Sequence, residues 1–175
     1  MKLKFLEKVI PEQIPESVFA LVHRAQSREP LGRSISSEKW VSSTAQSRET
    51  VYGNKNDRLN IDFSVERASF PEAQTMDPRI IRIAPLSCNE RHKHAHESLF
   101  FVLEGEGEVL VGETWNPVSP GSLAFVPRWI MHQTLNTHSE QDLRILAITD
   151  FGFTSAVLGD YDKRTRLSFG GPDAG

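Results

Sequence analysis

The sequence predicts an all-β chain, a two-sheet sandwich or a small closed barrel, and two observations carry that expectation. After Pro78, short apolar runs alternate with turn residues nearly to the end, at 80–84, 100–104, 108–112, 122–126, 132–136 and 143–150. Gly105 and Gly107, Asn116 and Pro117, Pro120 and Gly121, and a polar stretch over 137–141 separate them. Runs of this length and spacing suit strands rather than helices. The last run is apolar on both parities apart from Arg144, as in a strand covered on both faces. That favours a closed jelly roll with something packed outside it.

Taken in order, residues 1–10 read as a short strand or extended arm. Residues 15–27 read as a helix: Pro15 suits the first helical position, and Val18, Leu21, Val22 and Ala25 form one apolar stripe. His23 lies at the edge of that stripe, where a solvated or capping role is expected. Residues 28–55 are polar, with Trp40 and Val41 as the strong anchors of their first part, and read as a long arm. The alternation of Ile61, Phe63 and Val65 is that of a strand. The tail from residue 150 is of mixed polarity, and its Phe151, Phe153, Val157 and Leu158 are expected to cap one end of the barrel. The expected organisation is therefore a helix and arm over 1–75, a barrel over 76–152 and a capping tail over 153–175.

Bulk properties narrow the function. A chain of 175 residues supports one domain with a real core. The net charge of −3, without a long run of one sign, argues against a nucleic-acid surface. Cys88 is the single cysteine, so an intrachain disulfide and a thiolate cluster are excluded, and a reducing, cytoplasmic setting fits. No apolar run approaches the length of a bilayer span, so no membrane partner is expected.

The chemistry concentrates in residues 91–107, R-H-K-H-A-H-E-S-L-F-F-V-L-E-G-E-G. Three of the six histidines, His92, His94 and His96, occupy alternate positions. In an extended strand, residues two apart share a face, so the run aims two or three imidazoles at one point. Neutral imidazole is the commonest protein ligand for transition metals. A second stretch, residues 121–136, reads G-S-L-A-F-V-P-R-W-I-M-H-Q-T-L-N and contributes His132, with Thr134 and Asn136 on the same parity.

Together these stretches resemble the two motifs of the cupin superfamily. The first motif runs glycine, five residues, H-x-H, three or four residues, Glu, six residues, glycine. Here it is matched by His92, His94 and Gly105, with Leu86 at the leading glycine and Ser98 at the acid. The second runs glycine, five residues, P-x-G, two residues, His, three residues, Asn. It is matched by Gly121, Pro127, His132 and Asn136, with Trp129 at the inner glycine. The resemblance covers about residues 80–150 and implies a double-stranded β-helix, or jelly-roll barrel, to which the helix and arm are additions. The missing acid and the tryptophan also look like gentisate-type aromatic-ring dioxygenases, which use three histidines but carry two cupin units in a longer chain. By position, His92, His94 and His132 would then ligate the metal.

Three neutral ligands leave the double charge of a divalent ion uncompensated and leave positions open on one side. Fe(II) is the favoured ion, and Mn, Ni, Cu and Zn also suit imidazole ligands. The expected activity is a dioxygenase acting on a small aromatic or enediol-bearing acid. A non-catalytic metal- or ligand-binding cupin, or an isomerase or epimerase of a sugar or keto acid, are the alternatives. His96 is open to three roles: fourth ligand, substrate contact, or a place at the mouth, of which the last two are favoured. Glu97 would become the acid after a one-residue register change. Arg82, Arg128 and Arg144 are candidates to hold a substrate carboxylate, with Arg82 and Arg144 raised by their place in apolar strands. Trp129 is a candidate to stack on a planar substrate. Asn136 is expected to support a turn, and Cys88 to pack as a small apolar group. A polar arm on a barrel with sheet edges makes a homodimer the expected assembly.

Overall fold

The computed structural model describes residues 48–158 except 69, 71, 72 and 74, together with Glu16, Val18 and the backbone of Leu167–Phe169. Glu16 and Val18 are both helical, as the helix expected over 15–27 requires. The rest of that helix, His23, and the anchors Trp40 and Val41 lie outside the described residues.

Eleven described strands form two antiparallel sheets. They are β1 (Arg48–Asn56), β2 (Ile61–Ala68), β3 (Asp77–Ile83), β4 (Arg91–Lys93), β5 (Ser98–Glu104), β6 (Gly107–Val111), β7 (Thr114–Val118), β8 (Leu123–Val126), β9 (His132–Asn136), β10 (Leu143–Thr149) and β11 (Leu167–Phe169). One sheet has the order β1-β2-β3-β10-β5-β8 and the other β11-β4-β9-β6-β7. A short helix, α1 (Phe151–Leu158), follows β10. The crossing of neighbours between distant parts of the chain makes this a jelly roll and not a meander.

Alternation places the core. The inner face of the larger sheet carries Ile61, Phe63 and Val65 of β2, Ile83 of β3, Leu143, Ile145 and Ala147 of β10, and Phe100 and Val102 of β5, all buried. Val126 of β8 completes it, and Val109 of β6 joins the core from the other sheet, each at 0% exposure. Each fully buried aliphatic side chain contributes roughly 1.5–3 kcal/mol. Along the strands the inner face changes character. At one end stand Ile83, Leu143 and Val102. At the other stand Arg67, Arg79, the small Ala147 and Ser98, and Thr149. The large apolar side chains close the first end, and the small and polar ones leave the second hollow.

Three elements differ from the sequence reading. The polar stretch before residue 56 is not an arm throughout, because its last part forms β1. β1 is an edge strand whose residues are mostly exposed, so it has no apolar alternation to reveal it. Asn116 and Pro117 are not a turn but lie within β7, the other sheet's edge, where a missing N–H is tolerated. The outer parity of β10, Leu146 and Ile148, is half-buried among the described residues and not covered, and it continues into exposed Leu99, Phe101, Leu123 and Phe125.

Backbone geometry explains both glycine departures. Leu86 and Trp129, at the two positions where a glycine was expected, have φ of 51° and 61°. The left-handed turn has been kept and its glycine replaced. Gly105, which does match, has φ of 81°, and an added Cβ would stand 2.4 Å from the carbonyl oxygen of Asp142. Leu86 is 60% exposed, so its side chain returns little burial for the strain. A left-handed non-glycine residue costs about 1–2 kcal/mol, against up to about 1 kcal/mol for the extra freedom of glycine in the unfolded chain. Leu86→Gly is therefore expected to stabilise the fold by about 0.5–1 kcal/mol, read as a higher urea midpoint at unchanged slope.

Candidate metal centre

The sheet register creates the site. His92 on β4 and His132, the first residue of β9, are direct cross-strand partners. A pair of this kind brings two side chains together on one face. β4 ends at Lys93, and the chain bends through Ala95 and His96 before β5. His94 thus stands just past the strand, with its ring centroid 4.6 Å from that of His132 and 5.4 Å from that of His92. His92 and His132 are 4.2 Å apart by the same measure. One ring nitrogen from each of the three lies within 4.8 Å of the other two, and all three residues are buried.

Hydrogen bonding decides which nitrogen. Nδ1 of His92 is 2.7 Å from the Glu90 carbonyl oxygen, that of His94 is 2.9 Å from the His96 carbonyl, and that of His132 is 3.0 Å from the Ile130 carbonyl. A carbonyl only accepts, so each Nδ1 carries the proton and donates. The lone pair is then on Nε2 in all three rings, and backbone atoms two residues away hold each ring's orientation. The donor set is neutral. Ser98, at the expected acid position, is 2% exposed and lines the same hollow. Glu97 does not slip into that role. Its backbone N–H donates to Asp150 Oδ1 at 2.8 Å, and its carboxylate faces Arg128 Nε at 3.7 Å on the outside. The three imidazoles fit a divalent ion bound on one side.

The second motif fastens the first. The Trp129 N–H donates to the His94 carbonyl at 2.8 Å, and Arg128 Nη1 donates to the Ala95 carbonyl at 2.7 Å. Arg128 also pairs with Asp150 and donates to Thr154 Oγ1 of α1 at 3.2 Å. Arg128 and Trp129 therefore hold the histidine loop and do not line the cavity.

The cavity has a volume of about 450 Å³, within the range of small-molecule sites of roughly 300–1,000 Å³. The histidines, Phe63, Val65, Ile81 and Phe100 are among its walls. His96 also lines it, stacked on His94 with centroids 3.4 Å apart and planes at 12°, and outside the three-histidine cluster. Arg82 and Arg144 do not reach it. They sit on the outer parity of their strands, Arg82 forked onto Asp142 at 2.6 and 2.9 Å and Arg144 on Glu104 at 3.2 Å. Arg67 and Arg79, one parity over, line the cavity instead. Val51 and Tyr52 join them from β1, where a bulge between Thr50 and Tyr52 breaks the register. The Tyr52 hydroxyl donates to the Glu90 carboxylate at 2.7 Å, and Asn54 Nδ2 donates to it at the same distance.

The remaining expected residues are structural. Asn136 Nδ2 donates to the carbonyls of Ile83, Ala84 and Gln141, and Asn136 Oδ1 accepts the His138 N–H. Cys88 packs half-buried against the core, and burial pushes its thiol above the ordinary range. His138 Nδ1 accepts the N–H groups of Glu140 and Gln141 in a turn.

Comparison with known proteins points to the same fold. The family profile for the Cupin domain matches residues 79–149. A 5-aminosalicylate 1,2-dioxygenase from a Comamonas species is 29% identical over 82 residues, which cover 47% of this chain and 21% of that enzyme. The match thus spans about a fifth of that enzyme's length. Among solved structures, a cupin-2 domain protein from Rhodospirillum rubrum superposes with a TM-score of 0.54 at 18% identity, over 63% of this chain and 74% of the other. A cupin 2 conserved barrel domain protein from Rhodopseudomonas palustris gives 0.50 at 24%, over 57% and 68%. Both likenesses concern the fold.

His92→Ala, His94→Ala and His132→Ala are each expected to lower bound divalent metal at least tenfold by elemental analysis, whereas His138→Ala leaves it unchanged.

Proposed function

We propose, from the match of residues 79–149 to the Cupin domain family, that the chain is a metal-dependent dioxygenase acting on a small aromatic or enediol-bearing acid. The observation that carries this reading is a buried set of three neutral imidazoles, each with Nδ1 on a backbone carbonyl and with no acid in their cluster among the described residues, at the wall of a small-molecule cavity. The likeness to a 5-aminosalicylate 1,2-dioxygenase over 82 residues supports it.

His92, His94 and His132 would hold a divalent ion, with Fe(II) favoured, which would supply the oxygen chemistry. The protein's part is positioning and exclusion. Three uncharged ligands leave the ion's charge to be offset by an anionic chelate, which selects acids and enediols over neutral molecules. Phe63, Val65, Ile81 and Phe100 keep the interior wall dry and give a ring a flat apolar surface. Ser98 lines the wall with a hydroxyl, a group that donates or accepts. His96, stacked on His94 at the bend, is placed to contact the substrate as it enters.

A second reading is a cupin that binds metal and small molecule without turnover, which the same three-histidine cavity also accommodates. Oxygen uptake separates the two. The Fe(II)-loaded protein is expected to consume oxygen with at least one member of a panel of hydroxybenzoates and catechols, and His132→Ala to lower the rate at least 100-fold. Tight ligand binding with no uptake across the panel would instead establish the binding protein.

A further inference from the structure

We propose that the cavity is a two-ended site, in which Arg67 and Arg79 bind a substrate carboxylate that stands apart from the oxygens chelating the metal. The inference rests on the chelating-substrate reading above and adds the second anchor. Arg67 on β2 and Arg79 on β3 are register partners, so two guanidinium groups emerge side by side from the larger sheet. His92 and His132 emerge from the other sheet. Facing sheets lie about 10 Å apart, and both pairs line one cavity. A cavity of about 450 Å³ has room for a single benzene ring with substituents at opposite edges between them.

Like charges placed directly opposite repel, and here one carboxylate holds both. Asp77 is 3.0 Å from Arg67 Nε and accepts from Arg67 Nη2 at 3.1 Å, from Arg79 Nε at 2.9 Å and from Arg79 Nη2 at 2.6 Å. One acid against two guanidiniums leaves a unit of positive charge. Each guanidinium has five N–H donors, and Asp77 accepts through one nitrogen of Arg67 and two of Arg79, leaving Arg67 Nε buried without a hydrogen-bond partner among the described residues. Asp77 therefore orients the pair and leaves donors over for a second carboxylate. Phe151, at the start of α1, backs them, with its ring centroid 4.9 Å from the Arg79 guanidinium carbon and 5.6 Å from that of Arg67. Its ring also meets His96 edge-on at 5.8 Å. The arginines are thus braced from behind, as a preorganised fork for a planar anion.

The test compares acids with neutral amides of the same shape, by calorimetry on the Zn(II)-loaded protein, which carries no redox chemistry. The probes are 2,3- and 3,4-dihydroxybenzoate and the matching dihydroxybenzamides. The wild type is expected to bind one acid at least tenfold more tightly than its amide. Arg67→Gln and Arg79→Gln remove that preference while amide affinity stays within twofold, Arg79→Lys keeps part of it, and Arg82→Gln changes nothing. Equal binding of acid and amide by the wild type overturns the inference without needing a variant. Equal weakening of both by the arginine variants also overturns it, by showing a structural role. Arginine-dependent acid binding that is the same without zinc would uphold the subsite and sink the chelation reading. Binding of neither probe pair would sink both.

Discussion

The site depends on a strand register. His92 and His132 are about forty residues apart in sequence and meet because β4 and β9 pair at that one position. A slip of one residue would turn His132 out of the barrel along with Thr134 and Asn136. The register is held from several sides. Asn89 Oδ1 accepts the Thr134 N–H at 2.7 Å, Gln133 donates to the Asn89 carbonyl, and Asn136 ties β9 to the end of β3 through the carbonyls of Ile83 and Ala84. Small polar groups inside the barrel are thus spent on alignment. The three Nδ1–carbonyl bonds then turn alignment into chemistry, because they leave the same nitrogen of each ring exposed to the cluster.

The barrel's two ends divide the labour. One is packed with branched aliphatic residues and is rigid. The other substitutes Ser98, Ala147 and Thr149 at the inward positions, so the interior opens where the histidines stand. The loop bearing His94 and His96 has little strand structure of its own. It is secured by Trp129, Arg128 and Asp150, which bond its backbone from outside the cavity. The left-handed turn at Trp129 aims that residue's N–H at the His94 carbonyl, so the strained backbone has a positional purpose.

Much of this was legible in the sequence, and the failures have physical causes. The clustering of the three histidines could be read because the motif spacings are rigid: turns with fixed glycine-type geometry tie each histidine to its strand. The choice of arginine could not. On β3 both parities hold an arginine and an isoleucine, Arg79 with Ile81 and Ile80 with Arg82, so alternation cannot say which faces inward. Pairing decides it, since Ile81 and Ile83 register with Val65 and Phe63 of β2. β1 was hidden because an exposed edge strand has no buried face to leave a pattern, and its bulge delivers Val51 and Tyr52 to the cavity without any periodic signal.

The central claim is that three imidazoles bind one ion through Nε2 while each Nδ1 proton stays on a backbone carbonyl. Proton NMR of the Co(II)-loaded protein tests it most directly. The account requires three solvent-exchangeable, strongly shifted N–H resonances, each lost in the matching variant at His92, His94 or His132. Fewer than three such signals, or three that survive those substitutions, would contradict it.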